Sequence, residues 1–260
     1  MRVGLLDGKT ALVTGIANKR SIAWGIARAL DREGAQLILT YQTERFKENL
    51  DKLTPELSKP PLTVLLDVAD DASLAQLGET VGQHTDALHA VVHSVAHAKA
   101  EELQGRFLHT SRDGYHFAQD ISAYSLTALV RAVHPQLVAA SGASVIAMTH
   151  QGAVQVMPNY NVMGVAKAAL ESSVRYLAYD LGREAIRVNA ISAGPIKTLA
   201  ASGVKGISTA LHSTLERAPI PENITTDDVG NAAVFLASSW AARITGMVLY
   251  VDSGSHIMGF

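Results

Sequence analysis

Short runs of Val, Ile and Leu alternate along the chain with longer stretches whose apolar residues recur at helical spacing. The short runs predict strands at 10–13, 36–39, 62–66, 88–92, 144–148, 186–190 and 247–251. The longer stretches predict helices at 21–32, 71–82, 112–138, 160–181 and 226–239, and the segment 52–61 is expected to be a surface connection. The strands are apolar on both faces, as a parallel sheet covered on each side by helices requires. The expected fold is therefore α/β: a single-domain, Rossmann-like, doubly wound parallel sheet with helices on both faces, binding its ligands beyond the carboxyl ends of the strands.

Composition narrows the function classes. The 260 residues are 48% hydrophobic, enough for one sizeable core in one domain spanning 1–260. Net charge is −2 and the 22 basic residues are scattered, so the positive face of a nucleic-acid binder is not expected. There is no cysteine, which removes disulfides, thiol nucleophiles and thiolate metal sites and fits a cytoplasmic setting. Residues 1–9 lack an apolar signal region, and nowhere do 18 apolar residues run together, so neither secretion nor membrane spanning is expected.

Directly after the first predicted strand comes Gly15-Ile16-Ala17-Asn18-Lys19-Arg20-Ser21-Ile22-Ala23-Trp24-Gly25. Gly15 permits a tight turn, Ser21 is placed to cap the helix that opens at Ile22, and the N-terminus of that helix offers N–H groups to a pyrophosphate. Gly25 is expected to let the helix sit close to the sheet. The spacing departs from G-x-G-x-x-G, and a purely structural strand-to-helix turn would use the same residues. After the second strand, Gln42 stands where a dinucleotide site tests the adenosine ribose; a neutral amide that binds a 2′-hydroxyl favours NADH. Asp67 and Val68 follow the third strand, and Asp67 suits either an adenine amino group or the cap of the next helix.

The segment Pro158-Asn159-Tyr160-Asn161-Val162-Met163-Gly164-Val165-Ala166-Lys167-Ala168 carries the chemistry. Tyr160 and Lys167 are seven apart, about two helical turns, so a phenol and an ammonium share one face with about 10 Å of rise between them. That pair suits reduction of a carbonyl-conjugated substrate: Lys167 holds ribose hydroxyls and lowers the phenol pKa, and Tyr160 donates to an oxygen that becomes negative. A core tyrosine beside an exposed lysine is the bland alternative.

In the short-chain dehydrogenase/reductase superfamily the usual pattern is Tyr-x-x-x-Lys, yet four before Lys167 stands Met163. Tyr160, seven before the lysine, resembles the enoyl-acyl-carrier-protein reductase branch. So do the glycine segment 15–25, Asp120-Ile121-Ser122-Ala123-Tyr124-Ser125, the stretch 187–198, and Ile244-Thr245-Gly246 leading into Val251-Asp252-Ser253-Gly254. The resemblance covers nearly the whole chain. It implies hydride transfer from NADH to the β-carbon of a trans-2-enoyl thioester on acyl carrier protein or coenzyme A, with Tyr160 stabilising the enolate oxygen. It further implies that Ser94 and Val95 line the cofactor, that Ile196 contacts the carboxamide and Thr198 the pyrophosphate, that Ala98 borders the substrate, that residues 197–215 form a mobile substrate loop, and that the chain is a homotetramer.

Three departures mark this chain. His150 stands where many relatives have a second tyrosine, and His97 where an aromatic residue is common. Each is either a tolerated pocket wall or a new polar contact, and a histidine at 150 is expected to change protonation near neutral pH. The basic loop suited to an acidic carrier protein is reduced mainly to Lys197 and Lys205, so only a modest preference for carrier-linked substrates is expected. His89, His93 and His97 fall four apart, but strand spacing would separate neighbours by about 13 Å, and no metal is expected. The rival readings are a carbonyl reductase or alcohol dehydrogenase on the same scaffold and a non-catalytic nucleotide-binding regulator.

Overall fold

The computed structural model describes residues 3–202 and 206–259. Seven parallel strands form one sheet in the order β3-β2-β1-β4-β5-β6-β7. They are β1 Thr10–Val13, β2 Gln36–Tyr41, β3 Leu62–Leu65, β4 Ala90–His93, β5 Ser144–Thr149, β6 Arg187–Ala193 and β7 Val248–Val251. The chain leaves β1 towards β2 and returns to pair β4 on its other side, which puts the topological switch point between β1 and β4. Every strand expected from the sequence is present, with β2, β4, β5 and β6 running further at their carboxyl ends than the apolar runs suggested.

Alternation along the strands sorts the core into two layers. On β1, Leu12 faces one layer with Leu77 of α3 (Asp71–His84) and Leu129, while Ala11 and Val13 face the other with Trp24 and Leu30 of α1 (Ile22–Arg32). Burying a side chain such as Leu30 contributes about 1.5–3 kcal/mol. Gly25 does not face the sheet. A Cβ there would meet Thr226 Cβ at 2.5 Å, and one on Gly230 would meet the Gly25 carbonyl oxygen at 2.8 Å. The missing side chains let α1 approach the helix Thr226–Ala237, which a capping box between Thr225 and Asp228 starts.

Three segments differ from expectation. The helix α2, Glu44–Leu53, begins at a Thr43 side chain that accepts from Phe46 N–H and buries only Leu50 and Leu53, too thin an apolar face to register in the sequence pattern. The expected helix 112–138 is α4 Arg112–Gln119, a π-helical turn Asp120–Tyr124, α5 Ser125–Ala132 and α6 His134–Ala139. The break before α6 falls at Val133 (φ −112°, ψ 13°), and Pro135 in the first turn of α6 has no N–H to continue the ladder from α5. Beyond α7 (Asn161–Leu181) and β6, the small-residue loop expected at 197–215 contains α8 Leu199–Ser202 and α9 Ile207–Arg217; α10 is Thr226–Ala237. Lys205 lies outside the described residues.

Candidate active site

The carboxyl ends of β1 and β4 are drawn together by close backbone contact. Gly15 has φ +87°, and a Cβ on it would lie 1.9 Å from the Ser94 carbonyl oxygen, so any side chain would force the strand exits apart. Thr14, buried and not singled out by the sequence pattern, donates from Oγ1 to Val92 O at 3.0 Å and accepts from Ser94 N at 3.2 Å. Ser21 does not cap α1. Its hydroxyl turns back to accept from the N–H groups of Ala17 and Asn18, both at 3.1 Å, and stiffens the turn instead. The first turn of α1, from Ile22, thus carries no side-chain cap, and its N-terminal partial positive charge suits a pyrophosphate. Asn49 of α2 holds the same turn by donating to Ala17 O at 3.0 Å.

The other sequence-predicted cofactor residues fall at the ends of neighbouring strands. Gln42 is exposed immediately after β2. Asp67 follows β3 and accepts from Ala69 N at 3.0 Å, while Asp70 caps α3, so the capping alternative for Asp67 is corrected. Val68 is buried in the core, and Val95 packs against it. Thus Gly15, Gln42, Asp67 and Ser94 mark one continuous edge across β1 to β4, the set of positions a dinucleotide would span. Past β6, Ile196 packs on the opposite layer, and Thr198 Oγ1 accepts from Ala201 N at 3.0 Å.

Tyr160 stands at the N-cap of α7, one residue ahead of the first helical residue. Its neighbours Asn159 and Asn161 have φ of 62° and 25°, in the left-handed region that asparagine tolerates better than most residues. The tyrosine packs on a small apolar cluster of Ala98, Leu103, Ala118, Val162, Met163 and Ala166. Burial pushes the phenol above its usual pKa. The expectation that Lys167 lowers it is therefore overturned, and Tyr160 remains a protonated donor. Lys167, two turns along, is buried and donates from Nζ to Met148 O at 2.7 Å, beside the end of β5. Burial lowers its pKa to about 8, against the opposing pull of Glu171. Glu171 is buried and accepts from Thr149 Oγ1 at 2.8 Å; its carboxyl is raised by burial above the ordinary range.

His150 sits at the same focus, its ring centroid 5.0 Å from that of Tyr160. Burial and then the Lys167 charge lower its pKa to about 4, which corrects the expectation of a protonation change near neutral pH. Its Nδ1 accepts from Gly152 N at 3.0 Å, so the proton of the neutral ring is on Nε2. His97 is exposed and lies edge-on to Phe117 at 5.4 Å, while the adjoining Ala98 is buried against the Tyr160 cluster. The three evenly spaced histidines go to separate partners: His89 to Thr10 N, His93 to Ser125 and His97 to Phe117. Sequence reasoning missed Thr14, Asn49 and Glu171, whose roles are contacts between distant elements and leave no local motif.

The sequence profile described as enoyl-(acyl carrier protein) reductase matches residues 15–256. The chain is 49% identical to the NADH-dependent enoyl-acyl-carrier-protein reductase of Bacillus cereus over 98% of this chain and 99% of that protein. It is 46% identical to the NADPH-dependent enzyme of Staphylococcus aureus over 96% of this chain and 98% of that one. The crystal structure of the Bacillus cereus reductase with NADP+ and indole naphthyridinone superposes with a TM-score of 0.96 at 48% identity, covering 99% and 100% of the two chains. That of the Aquifex aeolicus reductase superposes with a TM-score of 0.95 at 46% identity, covering 99% and 100%. Tyr160 at the cap of α7, Lys167 on the β5 edge and the continuous glycine-to-aspartate rim are thus set in a chain that belongs to the enoyl-acyl-carrier-protein reductase family.

Proposed function

We propose that this chain reduces the 2,3 double bond of trans-2-enoyl thioesters, a step of fatty acid elongation, using NADH. The observation that carries the reading is the convergence of a protonated Tyr160, a neutral His150 and a buried Lys167 beside the apolar Ala98 cluster, at the carboxyl edge of the sheet. NADH supplies the hydride, delivered to the β-carbon of the substrate. Gly15, Ser21 and Ile22 hold the pyrophosphate turn, Gln42 the adenosine ribose, Asp67 and Val68 the adenine side, and Ser94, Val95, Ile196 and Thr198 the remaining cofactor wall. Lys167 orients the nicotinamide ribose. Tyr160 donates to the thioester oxygen as the enolate forms, placing a fixed dipole where negative charge develops. His150 supplies a second donor through Nε2, and Ala98 with His97 forms the near wall of the acyl pocket.

A carbonyl reductase on the same scaffold would need its phenol four residues before Lys167. Met163 occupies that position and is buried in the apolar cluster, with no proton to give. Acyl carrier protein is the carrier this reading favours, with coenzyme A thioesters accepted less well. A cytoplasmic homotetramer is the assembly that goes with it; Tyr176 and Tyr179, 72% and 84% exposed on α7, support a partner face there. Among the described residues no helix is long and apolar enough to cross a membrane. The test is a panel of enoyl and ketoacyl thioesters with both reduced cofactors. Turnover confined to the enoyl series bears the proposal out, and turnover of ketoacyl substrates alone overturns it.

A further inference from the structure

The motif Asp120-Ile121-Ser122-Ala123-Tyr124-Ser125 has no part in the chemistry above, yet it is the point where the long helix widens into a π turn. Such turns carry an energetic disadvantage and concentrate at functional sites. Here the Ser125 N–H reaches back five residues to Asp120 O, and the Ser125 hydroxyl donates to Ile121 O at 2.7 Å. With its proton so committed, Ser125 Oγ accepts from His93 Nε2 at 2.7 Å at the end of β4. Ser122, fully buried, does more. Its hydroxyl donates to His97 O and its oxygen accepts from His97 N–H, both at 3.0 Å, as a neighbouring strand would.

The two serines pin the segment between β4 and the acyl pocket at separate points. His93 is held by Ser125, Ser94 by Thr14 Oγ1, and His97 by Ser122. The next residue, Ala98, closes the apolar cluster on which Tyr160 packs. A shift of the His97 backbone therefore moves the Ala98 wall against Tyr160 while leaving the Ser94 cofactor wall on its own anchor.

We propose that Ser122 is a positioning residue for the acyl thioester: its hydroxyl fixes the His97 backbone and through it the Ala98 wall opposite Tyr160. The inference rests on the enoyl reductase reading. It is tested in the full chain with Ser122→Ala, read by KM and kcat for one enoyl thioester, by Kd for NADH, and by hydrogen exchange over residues 93–99. The expected result is a KM raised about fivefold or more, as loss of a hydrogen-bonded backbone clamp implies, with Kd for NADH within about twofold and faster exchange at the His97 amide. Ser122→Cys keeps a weak donor in nearly the same volume and should fall between the two; it carries the test if the alanine variant does not fold. An unchanged KM despite faster exchange, or an equal weakening of NADH and thioester, overturns the proposal. If the unaltered chain oxidises no NADH with any enoyl thioester, the function is wrong, while the exchange result still reports whether Ser122 holds His97.

Discussion

The ring of Tyr160 lies directly against the backbone of Gly152: a Cβ built on Gly152 would come within 2.5 Å of Tyr160 Cδ1. The same glycine donates its N–H to His150 Nδ1, so one residue without a side chain sets both the tyrosine ring and the histidine tautomer. Gly152→Ala should displace the phenol from its working position. A misplacement of about 1 Å can cost about a hundredfold in rate. We expect kcat to fall by at least tenfold with little change in Tm or in Kd for NADH; unaltered kcat would show that the ring has room to yield.

In the proposed reaction Tyr160→Phe removes the donor at the enolate oxygen. One such donor is worth about 3 kcal/mol, or about a hundredfold in kcat. Single-turnover kinetics checks the chemical step, and a loss below tenfold would transfer the main stabilising role to His150.

His150 offers a second, sharper discrimination. With its pKa lowered to about 4 by burial and the Lys167 charge, the ring is neutral across ordinary assay pH and donates through Nε2. Activity should therefore be flat from about pH 5.5 to 7.5 as far as His150 is concerned. His150→Phe should lower kcat several-fold, in line with loss of one neutral hydrogen bond worth about 1 kcal/mol. A limb near pH 6.5 that disappears in the variant would mean that the charged imidazole is the working form.

Lys167 governs the alkaline side. In the proposed site its ammonium is the form that would bind ribose hydroxyls as a charged donor, and burial lowers its pKa to about 8. A group whose charged form is required loses function as pH rises through its pKa, so kcat/KM for NADH should decline above about pH 8. Lys167→Ala should weaken NADH chiefly in Kd. A profile level to pH 10 would place the ammonium outside the cofactor step.

In the proposed site the adenosine ribose meets Gln42, which is exposed after β2 and uncharged. A 2′-phosphate meets no cation from that side chain, so kcat/KM should favour NADH by about tenfold, a difference of about 1.4 kcal/mol. Parity with NADPH would implicate Arg45 or Lys47.

What the sequence disclosed and withheld follows from range. Strand runs such as 10–13 and 144–148 are local patterns and reappear in the structure, and the helix expected at 160–181 is α7, with Tyr160 at its N-cap and Lys167 within it. Thr14, Asn49 and Glu171 act across elements, through Val92 and Ser94, Ala17 and Thr149, so nothing near them in sequence marks them. The helix 112–138 was legible as amphipathic but its π turn was not, because a single extra residue per turn hardly disturbs an apolar period. The Ser21 cap failed for a different reason: the hydroxyl found two N–H partners in its own turn before it could reach into the helix.

In the proposed reaction hydride goes to the β-carbon of an enoyl thioester while Tyr160 stabilises the oxygen of that substrate. NADH carrying deuterium at the transferred position, incubated with a trans-2-enoyl thioester and the chain, tests it by mass spectrometry and NMR of the product. The expected product is a saturated thioester with one deuterium at C3, formed about a hundredfold more slowly by Tyr160→Phe. Deuterium on the thioester carbon, an alcohol product, or a saturated product without deuterium would contradict it.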